Sequence, residues 1–169
     1  LAWLALTGIL AGAAPAAAGV LDDITEWEAG RGMSASSAQR GPDGRPDPAG
    51  NSDSYRVIEP GATAVIADLE GPGVITHIWM TVYHFQSLRP GWAPRGRANP
   101  QEILVRMYWD DREQPDVEAP LSDFFAAGFG KRTTVHSVPV VTEDGDSYNC
   151  YWRMPFRKAA RIEVTNQSK

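Results

Sequence analysis

Apolar and polar residues alternate with a period of two along most of this chain, in short runs separated by Gly, Pro and Asp. That spacing suits β-strands and leaves little room for long helices, which need apolar residues three and four apart. Runs at 62–69, 74–83, 102–109, 133–142, 148–152 and 160–165 read as strands, with 55–58 and 117–121 as shorter ones. About eight strands joined by tight turns is the pattern of an all-β sandwich or jelly roll. At 169 residues the chain is long enough to bury one substantial core. Within 74–83, Val74, Thr76, Ile78, Met80 and Val82 share one face, while Ile75, His77, Trp79, Thr81 and Tyr83 share the other. Both faces carry apolar residues, which fits a sheet covered by its own core on one side and by a neighbouring domain or subunit on the other.

The first 54 residues read differently. Residues 1–18 are apolar or small, with Gly8 and Gly12 inside, Pro15 near the end and Ala16-Ala17-Ala18 closing the run. This is the apolar region and cleavage site of a secretory signal peptide that lacks its basic start. A membrane span needs ~20 apolar residues, and the alanine-rich, proline-containing end suits one poorly. Position 19 is Gly where a lipoprotein would carry Cys. A secreted or periplasmic protein is expected, with no membrane attachment after cleavage. Residues 19–54 then supply a short helix over 21–30, with Asp22 or Asp23 as its cap, and a long loop over 34–54 rich in Gly, Pro, Ser and Asp. The strand-rich domain occupies 55–169. The chain starts at Leu1 and stops at Lys169 directly after a strand-like run, so it is expected to be part of a longer protein.

Charge and cysteine usage narrow the function. With 16 Lys+Arg against 21 Asp+Glu the net charge is −5, and no basic block offers a seat for a phosphate backbone, so nucleic acid is not an expected partner. Cys150 is the only cysteine, which excludes an intrachain disulfide. It lacks the electropositive setting of a reactive thiol and reads as a small buried hydrophobe. Strand alternation places it on the core face with Tyr148 and Trp152. Gly71-Pro72-Gly73 and Asp110-Asp111-Arg112-Glu113 read as turns. Trp92, within the irregular 89–100 segment, suits either a sugar-stacking platform or a loop anchor. The three histidines are scattered, and Asp47, Asn51 and Asp53 lack the spacing of a calcium loop. No metal and no cofactor is expected.

Three stretches carry a family resemblance: Leu69-Glu70-Gly71-Pro72-Gly73-Val74-Ile75-Thr76-His77-Ile78-Trp79; Tyr108-Trp109-Asp110-Asp111 through Pro115-Asp116-Val117-Glu118-Ala119-Pro120-Leu121-Ser122-Asp123-Phe124-Phe125; and Ser147-Tyr148-Asn149-Cys150-Tyr151-Trp152-Arg153-Met154-Pro155-Phe156. From residue 30 or so to its end, the chain resembles the family once labelled domain of unknown function 2961 and now glycoside hydrolase family 172. The resemblance implies two consecutive jelly rolls, of which this would be the first, assembled as a homotrimer or a multiple of one. It also implies activity on α-D-fructofuranosides, with retention and with catalytic glutamates in the second jelly roll. No catalytic residue is therefore assigned here.

The carboxylates of this chain agree with that restraint. A glycosidase needs one carboxyl group to protonate the leaving oxygen and another as nucleophile or base. Only Asp123, before Phe124-Phe125, and Glu118, before Ala119-Pro120, look set among apolar neighbours, and a structural role bonded to backbone amides fits both better. Asn51, Asp53, Trp109, Asp123 and Phe124 are the candidate walls of a carbohydrate pocket, the polar ones for hydroxyl groups and the aromatic ones for ring faces. The alternative is a non-catalytic carbohydrate-binding or assembly module on the same fold.

Overall fold

A computed structural model describes residues 29–37, 42, 43, 45, 57–82, 98–143 and 147–169. The chain divides into two compact units, Leu1–Met33 and Ser34–Lys169. The second unit holds all the regular structure among the described residues. Its strands are β1 (Thr63–Glu70), β2 (Gly73–Ile75), β3 (Ile78–Thr81), β4 (Ile103–Trp109), β5 (Val117–Pro120), β6 (Val135–His136), β7 (Val140–Glu143), β8 (Ser147–Cys150), β9 (Met154–Phe156) and β10 (Ala159–Asn166). One helical turn, α1 (Leu121–Phe124), follows β5. The strands form a β1-β10-β4-β5 sheet, a β3-β8-β7-β6 sheet and a β2-β9 ribbon. Every pairing is antiparallel.

Alternation explains which faces meet. Ile103, Val105 and Met107 of β4 are buried, as are Ala160, Ile162 and Val164 of β10. Val140 and Thr142 of β7 and Tyr148 and Cys150 of β8 are buried from the other sheet. These residues join Leu121 and Phe125 in one core, so the two sheets pack as a sandwich. Buried Thr142 donates its hydroxyl to the Phe125 carbonyl at 2.8 Å, which leaves no orphaned polar atom there. The outward face of the first sheet is polar: Arg106 pairs with Glu118 at 2.5 Å and also donates to Thr165. The all-β sandwich expected from the sequence is met. Its pairing nests, β1 with β10, β2 with β9 and β3 with β8, while β4–β5 and β6–β7 close as hairpins within one sheet each.

Several strand boundaries differ from expectation. The 74–83 run splits at Thr76 and His77 because β2 pairs with β9 and β3 with β8. The 133–142 run splits at 137–139, where Ser137 Oγ donates to the Val140 carbonyl and accepts from its N–H. The 102–109 run opens with a 3-10 turn at Pro100–Glu102, capped by Asn99 Oδ1 on the Gln101 N–H at 3.0 Å. Val57 and Ile58 are not in a strand, and the 117–121 run ends in α1. Strand β9 escapes a sequence reading because Pro155 cannot donate to a ladder; among the described strands it pairs with β2 alone. The helix expected over 21–30 lies outside the described residues apart from Ala29 and Gly30, which are not helical. Among the described residues no helix is long and apolar enough to cross a membrane.

Candidate functional site

The β8 ladder ends at Cys150, and residues 151–153 run free of it before β9 begins. Tyr151 is tied there by its N–H to the Pro139 carbonyl at 2.8 Å. With the ladder broken, alternation holds as far as Tyr151, which is exposed and shares the outward register of Asn149, and no longer governs Trp152 and Arg153. Tyr148 and Cys150 are buried as expected, but Trp152, expected beside them in the core, is 44% exposed. Trp152 instead lines a cleft of about 360 Å³ with Arg153, Met154 and Pro155. Trp109 from the end of β4, Val117 from the start of β5 and Phe124 of α1 complete the lining.

Two of the five pocket residues inferred from the sequence therefore come together. Trp109 and Phe124 both line the cleft. Trp109 is held by its backbone N–H on Asp116 Oδ2 at 3.0 Å, and Asp116 also takes the Arg112 guanidinium at 2.7 Å. Asp123 is not among the lining residues. Its exposed carboxylate accepts from Gln101 Nε2 at 2.6 Å, and the same nitrogen donates to Ser122 Oγ, a bond that ties α1 to the preceding 3-10 turn. Asn51, Asp53 and Trp92 lie outside the described residues. Val117, Trp152, Arg153, Met154 and Pro155 are not among the sequence candidates; the run of two aromatics and a cation after Cys150 is the signal available.

The remaining acidic residues hold the scaffold. Glu118, expected among apolar groups, lies on the outward face paired with Arg106. Asp110 Oδ1 accepts from the N–H groups of Lys158 and Arg157, both at 2.7 Å. The Lys158 bond, with smaller help from Arg157 and Ala159, holds this carboxyl below its ordinary range. Burial pushes the Cys150 thiol up from its ordinary 9.0, the opposite of what a nucleophile needs. His77 is bonded to Asn149, not to the thiol. Among the described residues no group of three or more His, Cys, Asp or Glu is placed to hold a metal ion. The described lining of the cleft thus offers three aromatic rings, one guanidinium and no carboxylate. Such a wall stacks against the apolar face of a ring and donates hydrogen bonds from one edge.

Fold and cleft together define an antiparallel β-sandwich with an open, aromatic-walled recess. Residues 51–169 match the family described as GH172 domain-like, and the chain belongs to that family. The match begins at residue 51, later than the resemblance from about residue 30 suggested, and takes in every described strand and every lining residue. Membership makes its function glycoside-hydrolase-related. A comparison with curated proteins gives no match.

Proposed function

We propose that this chain is the sugar-contacting first sandwich of an exported glycoside hydrolase that cleaves α-linked furanosides, in the manner of an α-D-fructofuranosidase. The observation that carries the reading is the cleft: Trp109, Phe124 and Trp152 beside Arg153. The rings accept the apolar face of a furanose, and the guanidinium donates to its hydroxyl groups. Binding of this kind fixes the glycoside in place and leaves bond cleavage to carboxyl groups supplied from elsewhere. Those are two glutamates in a second jelly roll, outside the matched residues. One protonates the leaving oxygen, and the other attacks the anomeric carbon to give a glycosyl-enzyme, which water then hydrolyses with retention. The working form is a homotrimer or a multiple of one, outside the cytoplasm.

Assaying the complete protein on nitrophenyl α-furanosides and on the matching pyranosides tests this. Turnover of an α-fructofuranoside or α-arabinofuranoside is expected. Turnover of pyranosides alone, or of no glycoside, overturns the substrate class. The lack of a carboxylate in the described lining favours one other reading, a non-catalytic carbohydrate-binding module. Binding of furanosides by the complete protein with no turnover decides for it.

A further inference from the structure

The outward side of the β3–β8 pair carries four side chains that the cleft does not use. The register sets Trp79 opposite Asn149 and Ile78 opposite Cys150. Carried one step past the ladder, it sets His77 opposite Tyr151, and their rings are stacked with centroids 4.6 Å apart and planes 3° from parallel. His77 Nε2 donates to Asn149 Oδ1 at 3.1 Å, tying the two cross-strand pairs together. Trp79 is 61% exposed and Tyr151 47%. The residues alternating with them, Ile78, Met80, Tyr148 and Cys150, pack in or against the core. The platform is therefore backed by packed side chains and ordered before anything binds, which keeps the entropy cost of binding low.

Its chemistry is half apolar and half polar. The His77–Asn149 bond uses ring Nε2 and the amide oxygen, which leaves ring Nδ1 and the amide N–H groups as the pair's remaining polar atoms. Flat rings beside fixed polar atoms suit a sugar, which presents C–H groups on its face and hydroxyl groups at its rim. Burial under a protein partner would need matched groups for both polar side chains, whereas hydroxyl groups serve either role. Tyr151 is followed directly by Trp152 of the cleft, so one short segment links platform and cleft.

We propose that Trp79, His77, Asn149 and Tyr151 form outer subsites for further units of an oligosaccharide whose terminal furanose occupies the cleft. The substrate is then a furanosyl chain in preference to a single glycoside. This rests on the cleft being a sugar site.

The test is a calorimetric titration of the complete protein and its Trp79→Ala and Tyr151→Ala variants. The ligands are single and tetrameric α-arabinofuranosides and α-fructofuranosides, with melting temperature and oligomeric mass measured in parallel. The tetramer is expected to bind wild type about tenfold more tightly than the single unit, and either substitution is expected to remove that gain. Three results overturn the proposal while leaving the cleft intact: equal affinity for both lengths, a gain that survives both substitutions, or no binding by a protein that still hydrolyses a nitrophenyl furanoside. A fall in oligomeric mass in Trp79→Ala with sugar binding unchanged overturns it in favour of a protein interface. Absence of both binding and hydrolysis removes the cleft reading, and the outer subsites with it.

Discussion

Cys150 and Asp110 respond to their surroundings in opposite directions. Cys150 has no exposed surface, and desolvation holds its thiol neutral beyond the ordinary 9.0. Its folded pKa is raised, so its contribution to stability is complete below about pH 9 and is lost as pH climbs above that. Bulky maleimide is expected to label the native protein slowly and the unfolded protein fast. Cys150→Ala is expected to cost on the order of 1 kcal/mol, read from denaturant midpoints, with turnover per folded molecule unchanged. Cys150→Arg is expected to be far worse, because a charge would enter the core unpaired. Rapid labelling of the native thiol contradicts all of this. Asp110 has a depressed folded pKa, so its contribution is present above its ordinary 3.8 and lost as pH falls below that value. It also sits at φ 56°, a conformation that Asn tolerates and Ala does not. Melting temperatures are therefore expected to fall from wild type through Asp110→Asn to Asp110→Ala. The gap between wild type and Asp110→Asn is expected to close in acid, and a gap independent of pH would assign the residue no electrostatic role.

At the scale of elements, two of the family-like stretches meet. The Gly71-Pro72-Gly73 turn packs on β9, and Phe156 lies against both glycines. A Cβ on Gly73 would approach Phe156 Cζ to 2.7 Å, while one on Gly71 would approach the Lys158 carbonyl oxygen to 2.9 Å. A ring tip can be shortened by substitution and a backbone oxygen cannot. Gly73→Ala and Gly71→Ala are each expected to lose about 1–3 kcal/mol. Adding Phe156→Leu is expected to recover part of the loss at Gly73 and less at Gly71, as a double-mutant cycle would show. Equal recovery at both sites contradicts the packing described. The sequence made the long strands legible: β4 and β10 each bury one face in unbroken alternation, and β1 alternates on either side of a register shift between Val65 and Ala67. It did not make the interruptions legible. The breaks at Thr76–His77 and at residues 151–153 arise because β3–β8 and β2–β9 are separate pairings, which is a property of distant partners and not of local pattern.

For the whole molecule, the sandwich was readable because about half of each long strand had to face a core. The cleft was readable only in part. Trp109 and Phe124 stand out as aromatics beside charged turns. Asp123 does not join them, because a carboxylate before two phenylalanines looks desolvated in one dimension, whereas α1 turns it outward to Gln101. Trp152 belongs to the core only by an alternation that ends one residue earlier, at Tyr151. These errors share a cause: the site lies where regular elements stop, and periodicity carries no information there. The cleft as a furanose site is tested most directly by titrating methyl α-D-fructofuranoside and methyl α-L-arabinofuranoside into the complete protein, Trp109→Ala and Trp152→Ala. Saturable binding of at least one furanoside is expected. It should weaken about tenfold in each variant while Trp152→Ala, whose ring is already half exposed, keeps its melting temperature. Affinity unchanged by either substitution, or tighter binding of the corresponding pyranosides, would contradict it.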